Sequence, residues 1–281
     1  MLCAGLAFVA GDVVAKVAAS KVGVVDLIWG RNAAYLLVVV VVAGRSLPSR
    51  VKEATRVRIH VARGVAMFAT TSTLLLALSL LPLAEVNTLA SATPLFTVAL
   101  AGLLIGERVT RSSIAGAVIG FIGVVVLVGI DPANVEPAVL IPLATAASFS
   151  IFGLLTRALR SESPDVTMFF SGAIGLIGAS ILLYLGPAGG RAGPSEWLLV
   201  AVVGLLSYVA HRLLVGAYGW GRASDLAPLS YIGLIWSFVL GAAVFGEPVE
   251  VRAVIGALAI AIGGLVALRS LPTGSQDVLP Q

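Results

Sequence analysis

Apolar runs follow one another from Leu2 to Leu268, separated by short hydrophilic breaks. A membrane-spanning helix needs about 20 mostly apolar residues. The breaks divide the chain into runs of that size over 2–19, 24–43, 61–81, 85–105, 113–130, 137–156, 165–185, 195–217, 226–245 and 252–268. Packed into a water-soluble domain, so many apolar helices would leave no polar face to meet solvent. The pattern predicts an all-α integral membrane protein with ten transmembrane helices.

One block occurs twice, 140 residues apart: LLIGERVTRSSIAGAVIGFIGVVVLV from Leu103 and AVFGEPVEVRAVIGALAIAIGGLVAL from Ala243. Its register pairs Gly106 with Gly246, Glu107 with Glu247, Gly116 with Gly256 and Gly123 with Gly263. The chain therefore reads as a duplicated unit, with a first repeat over 1–130, a second over 137–268 and a short cytoplasmic tail over 269–281. Five helices per repeat is an odd number, so the second repeat enters the membrane from the opposite side. Inverted pairs of this kind place a substrate site near the midplane and open it alternately to either face.

Composition removes other classes. Hydrophobic residues make up 59% of the chain and charged residues 11%, with a mean hydropathy of +1.06; a soluble domain is excluded on those grounds. The first run begins at Leu2 without a basic leader and continues into Asp12 and Lys16, so it reads as a retained helix rather than a cleaved signal. Cys3 is the only cysteine, which excludes an intrachain disulfide and a cysteine-rich metal cage. No HExxH or GxSxG motif is present, and GAVIGFIG lies within a span without the Gly-Lys ending of a phosphate loop. Neither an enzyme nor a cofactor is expected, and transport would draw on a gradient or exchange rather than ATP.

Charge placement orients the chain. With the N-terminus inside, Arg45, Arg50, Lys52, Arg56, Arg58, Arg63, Arg108, Arg111, Arg157, Arg160, Arg222 and Arg269 fall on the cytoplasmic side, against Lys21, Arg191 and Arg252 outside. Basic loop residues stay in the cytoplasm, so both termini are expected there, in a bacterial inner (plasma) membrane. The formal charge of +4 then needs no nucleic-acid partner.

The run from Arg63 to Val109, RGVAMFATTSTLLLALSLLPLAEVNTLASATPLFTVALAGLLIGERV, resembles the third and fourth helices of the EamA family in the drug/metabolite transporter superfamily. The segment from His211 to Leu265 resembles the matching C-terminal repeat, and the likeness covers essentially the whole chain. The resemblance implies a secondary transporter whose central cavity is lined by the first four helices of each repeat, with the fifth and tenth helices peripheral. Family members move amino acids, nucleotide-like metabolites, vitamins or drugs. Pro94 of the first repeat faces Leu234 in the second, so a proline-linked irregularity in the fourth helix is not expected in the ninth.

Ionisable groups inside the apolar runs are the candidate chemistry, because each costs several kcal/mol unless paired or facing water. Asp12 and Lys16 lie one turn apart on the first helix. Asp12 and Arg31 both lie about seven residues from the outer face, a depth of about 10 Å at about 1.5 Å per residue. Two readings are open: a structural Asp12–Arg31 pair with Lys16 reaching the outer surface, or a site where Arg31 or Lys16 meets an anionic group and Asp12 an amine or coupling proton. In the related family an acid, a lysine four later and an arginine in the next helix recur. His211, inside the eighth helix, either contacts substrate or a proton, or is satisfied by a backbone carbonyl. Arg212 points about 100° away on the helical wheel, toward the cytoplasmic surface. His60 is expected on the surface of the second loop.

Tyr208, Tyr231 and Trp236 are candidates for an aromatic cavity wall, whereas Trp29, Tyr184 and Trp197 fall at helix ends, where aromatic belts form. Thr70, Thr71, Ser72 and Thr73, followed by Asn87, Thr88, Ser91 and Thr93, put hydroxyls and an amide at mid-depth. Glu85 and Asp225 begin the fourth and ninth helices, where an acid caps free N–H groups. Glu107 and Glu247 close those helices as structural markers, and Gly116 and Gly256 belong to small-residue packing faces. The partners implied are the lipid bilayer, a small amphipathic substrate, and a coupling proton or exchanged solute; oligomeric state is open. The alternative to a transporter is a non-transporting membrane scaffold or sensor.

Overall fold

The computed structural model describes residues 2–106, 109–128, 137–185, 193–220, 226, 232–246 and 251–268. They form α1 (Leu2–Ala19), α2 (Val24–Ala43), α3 (Leu47–Lys52), α4 (Val57–Leu80), α5 (Leu83–Ala90), α6 (Thr93–Ile105), α7 (Arg111–Val128), α8 (Leu140–Ala158), α9 (Pro164–Leu185), α10 (Pro194–Trp220), α11 (Ile232–Phe245) and α12 (Val251–Leu268). There is no strand among the described residues. Five helical segments, Val24–Lys52, Val57–Leu80, Pro137–Ala158, Pro164–Leu185 and Pro194–Trp220, are long and apolar enough to cross a membrane by length and composition.

The first two helices begin and end where the apolar runs do. The third run extends backwards: α4 starts at Val57, one turn earlier than its apolar stretch. That turn is polar on one face because it packs against protein rather than lipid, and His60 and Arg63 are completely buried there. The expectation of a surface His60 is therefore corrected.

The fourth run is broken. α5 stops at Ala90 and α6 starts at Thr93 with Pro94 in its first turn, because proline has no N–H to continue the preceding helix. Leu234, the equivalent position in the second repeat, lies in the first described turn of α11. Each of these helices ends on a left-handed glycine, Gly106 at φ 65° and Gly246 at φ 66°, the conformation a helix terminus takes most easily without a Cβ. The duplicated glycines thus do the same backbone job twice.

A shift of 140 residues carries α7 onto α12, and α1, α2, α4 and α6 onto α8, α9, α10 and α11 to within a few residues at each end. The packing obeys the same exchange. α4 packs on α8 and α1 on α10; α6 packs on α8 and α1 on α11; α4 packs on α9 and α2 on α10. The remaining large contacts, α2 on α9 and α7 on α12, map onto themselves.

Two apolar clusters fill the bundle. One gathers the ends of α1 and α4 and the start of α2 around Ala18, Leu27, Leu78 and Leu83. The other gathers Tyr35, Met67, Phe152, Met168 and Leu214 toward the opposite end. The α7–α12 crossing needs glycine: a Cβ on Gly263 would lie 2.6 Å from the Gly116 carbonyl oxygen and 2.7 Å from the Gly120 nitrogen. Backbone cannot yield as a side chain can. Gly263→Ala is expected to destabilise the protein by about 1–3 kcal/mol, the range for overpacking. Gly216→Ala on α10, where the added Cβ meets nothing within 4 Å, is expected to melt at or above wild type; thermal melting of both in detergent checks the contrast.

Candidate functional site

A cavity of about 170 Å³ lies between the two repeats, with walls from α1, α2, α4, α5, α6, α8, α10 and α11. Helical periodicity selects its lining. On α1 the positions Phe8, Asp12 and Ala15 share one face, and on α10 so do Ser207, His211, Leu214 and Tyr218.

Arg31 is buried in the wall, and its guanidinium is held by hydroxyls alone among the described side chains: Nε donates to Ser207 Oγ at 3.1 Å and Nη1 to Thr71 Oγ1 at 2.9 Å. None of the described ion pairs involves Arg31. Asp12 lines the same cavity and feels the Arg31 charge without pairing with it. The direct Asp12–Arg31 pair that their depths allow is thus not formed. Asn87 approaches the Asp12 carboxylate, yet its Nδ2 is buried without a hydrogen-bond partner. Lys16 lies outside the lining: its Nζ donates to the Leu81 carbonyl at 3.1 Å, at the end of α4, and sits 5.6 Å above the Phe245 ring.

His211 is satisfied by a backbone carbonyl while its ring faces the cavity. Its Nδ1 is 2.7 Å from the Ser207 carbonyl. A carbonyl only accepts, so Nδ1 carries the hydrogen and a neutral ring keeps Nε2 as an acceptor. The ring also lines the cavity, edge-on to Phe8, Phe152 and Tyr35 at 5.0, 5.4 and 5.7 Å.

The cavity hydroxyls have mostly spent their hydrogens. Thr70 donates to Ala66 O, Ser91 to Asn87 O and Thr93 to Ala90 O, each at 2.7–2.8 Å, and Thr145 donates to Thr73 Oγ1 at 2.8 Å. Lone pairs are what they offer inward. Among the described residues the chamber therefore combines one guanidinium, one carboxylate, a fringe of acceptors and an apolar wall of Phe8, Phe149 and Phe152.

Of the aromatic residues singled out by sequence, Tyr208 and Trp236 lie elsewhere. Tyr208 follows Ser207 by one residue, so it turns about 100° out of the cavity and packs on Tyr35 at 6.3 Å. Trp236 follows the cavity-lining Leu234 by two residues, which places it on the far side of α11 with 36% of its surface exposed. Tyr231, Asp225, Glu107 and Glu247 lie outside the described residues, as does the Glu85 side chain in the first turn of α5. Gly116 and Gly256 are buried in α7 and α12 and remote from the cavity, as expected for packing positions.

Beyond the cavity, the residues joining α2 to α4 meet those joining α8 to α9 in a polar seam. Arg50 Nη1 is 2.6 Å from Asp165 Oδ2, and Arg212 Nη1 is 3.6 Å from Asp165 Oδ1. Thr55 Oγ1 donates to Glu162 Oε1 at 2.6 Å, and that bond leads in holding the Glu162 carboxyl below its ordinary range. Arg56 Nη1 donates to the Ala158 carbonyl at 2.9 Å. His60 stacks on Phe170 at 4.7 Å, with Nε2 3.8 Å from Glu162 Oε2. At the opposite end, beside the apolar cluster, Trp29 packs edge-on against Trp197 at 6.4 Å and donates to Ser180 Oγ at 3.1 Å.

Sequence reasoning missed Phe8, Phe149, Phe152 and Arg63. Phe8 was findable as the residue one turn before Asp12. Arg63 was hidden because it falls at the start of an apolar run, where a basic residue ordinarily marks the water interface.

Comparison with known proteins agrees with this architecture. The EamA-like transporter family matches residues 1–129 and again 137–269. The chain is 24% identical over 193 residues to an S-adenosylmethionine uptake transporter of Rickettsia felis, covering 67% of this chain and 64% of that protein. It is 30% identical over 201 residues to the aromatic amino acid exporter YddG of Ancylobacter novellus, covering 67% of each. The chain thus spans about two thirds of the length of these curated relatives. A solved crystal structure, 24% identical, shares the fold with a TM-score of 0.70 over 94% of this chain and 96% of its own. With one family model matching both halves of an apolar helical chain, the protein belongs to the EamA-like transporter family of integral membrane proteins.

Proposed function

We propose that this protein is a secondary-active transporter that moves a small amphipathic metabolite, such as an amino acid, a vitamin or a drug-like compound, by alternating access. The observation that carries the reading is the bipolar cavity. A buried guanidinium held only by neutral hydroxyls retains a charge for an anionic substrate group, a separate carboxylate takes an amine or a coupling proton, and aromatic rings cover the apolar body. Inorganic ions would leave that apolar wall without a partner.

Ten membrane helices in two inverted repeats account for the exchange of helix contacts under a 140-residue shift, with the cavity at the seam. Both termini lie in the cytoplasm of a bacterial inner membrane, and the polar seam around Asp165 and Glu162 closes the cytoplasmic end. The relatives that carry S-adenosylmethionine or aromatic amino acids bear zwitterionic cargo, which matches two opposite charges on the cavity wall.

Thermal melting against amino acids, vitamins, nucleosides and cationic drugs tests the substrate. A ligand at 100 times its dissociation constant stabilises by about 2.7 kcal/mol. One class is expected to raise the melting temperature in wild type and to lose its effect in Arg31→Ala and Asp12→Asn. A folded protein that responds to none of them, and carries no flux in vesicles, would favour the scaffold or sensor.

Transport by a charge-swapped variant, Asp12→Arg with Arg31→Asp, is expected to remain abolished, because each charge meets its own end of the substrate. Restoration of wild-type transport would instead assign the two residues to each other. Thr71→Val removes one acceptor from Arg31 and is expected to cost about 1.5–3 kcal/mol, the range for a hydrogen bond to a charged group. Chemical denaturation reads that loss.

A further inference from the structure

Arg63 is the largest side chain buried completely among the described residues, yet it is no part of the cavity wall. Its Nε donates to Thr156 Oγ1 at 2.7 Å, and its Nη1 donates to the Thr167 carbonyl at 2.8 Å and to the Ser171 hydroxyl. A single planar fork therefore ties α4 of the first repeat to α8 and α9 of the second. Its carbon also lies 4.3 Å from the centre of the Phe152 ring.

Phe152 in turn lines the cavity and meets His211 edge-on. One aromatic ring thus stands between the chamber and the guanidinium. Nη2 of Arg63 is buried without a partner, so the group is held by geometry on one side and by the ring on the other. Any opening between α4 and the α8–α9 pair must pull these hydrogen bonds apart.

We propose that Arg63 is a positioning residue for transport: it fixes the Phe152 wall and clamps α4 to α8 and α9, so that moving that wall and opening that end are one event. The proposal rests on the alternating-access reading. A substrate pressing on the cavity face of Phe152 acts on the clamp without touching it. Arg50, Thr55 and Arg56 line the same seam, but they lie nearer water and do not reach the cavity.

The test uses the full chain in vesicles, in a Cys3→Ser background, without ligand. Two reporters are labelled separately with N-ethylmaleimide: Met168→Cys on α9 beside the clamp, and Leu78→Cys on α4 at the opposite end, both buried. Arg63→Met is expected to speed labelling at 168 at least tenfold and to slow it at 78. Phe152→Leu is expected to act in the same direction. The double variant should be no faster than Arg63→Met, because the two act through one contact. Thr156→Val combined with Ser171→Ala removes two acceptors and keeps the charge; it is expected to reproduce the Arg63→Met pattern and serves where that variant does not fold.

Faster labelling at both ends would mean general loosening and would overturn the proposal. So would unchanged rates, or single effects that multiply in the double variant. A ligand panel that produces no thermal shift bears on the transport reading alone, since the labelling rates are read without ligand.

Discussion

A guanidinium can sit inside an apolar helix bundle only where its N–H groups find acceptors. Arg31 and Arg63 meet most of that demand with the same device, a serine or threonine hydroxyl on a neighbouring helix; Arg63 adds the Thr167 carbonyl, and its Nη2 is left without a partner. Thr156 accepts from Arg63 and passes its own hydrogen to the Phe152 carbonyl at 2.7 Å; Ser171 likewise donates to the Thr167 carbonyl at 3.3 Å. The cations belong to the first repeat, and Ser207, Thr156 and Ser171 belong to the second. Thr71, the other acceptor of Arg31, lies in the first repeat, so both buried cations are held across the seam between the copies and Arg31 from within its own copy as well.

The same economy of hydrogens shapes the cavity. A helical hydroxyl that donates to the carbonyl one turn back is satisfied locally, and it then offers only lone pairs to whatever enters. Thr70, Ser91 and Thr93 are in that state, whereas Asn87 Nδ2, buried without a hydrogen-bond partner, is a donor that remains for a guest. A small number of polar groups on an apolar wall is the usual makeup of a site that orients an amphipathic molecule.

The two ends of the bundle are closed by different physics. One is an apolar cluster around Leu27 and Leu78, which resists opening in proportion to the surface it would expose. The other is polar, and its outer members are weak individually: Arg50 and Arg212 have 41% and 45% of their side-chain surface exposed, and such pairs contribute about 0.2–1 kcal/mol each. The buried Arg63 fork is screened far less. It is the component of that end whose rupture leaves charged N–H groups without acceptors.

Much of this was legible in the chain. Apolar run lengths located most of the helices to within a turn, and the repeated block paired the glycines at 106 and 246 and marked Gly116 and Gly256 as packing positions, because these depend on local backbone and small-residue spacing. A depth argument brought Asp12 and Arg31 to one level, His211 stood out as an ionisable group inside an apolar run, and all three line the cavity. What hydropathy could not supply was direction around each helix. Two residues of rotation separate the cavity-lining Leu234 from the exposed Trp236, and one separates Ser207 from Tyr208. Nor could it tell a basic residue at the water interface from one inside the fold, so Arg63 and His60 read as surface. Sequence by itself determined the class, most of the element boundaries and the duplication, since each follows from the length and periodicity of local runs. Tertiary structure decided which face of each helix met which neighbour, and with it the partners of every buried charge, because those partners lie 40 to 176 residues away along the chain.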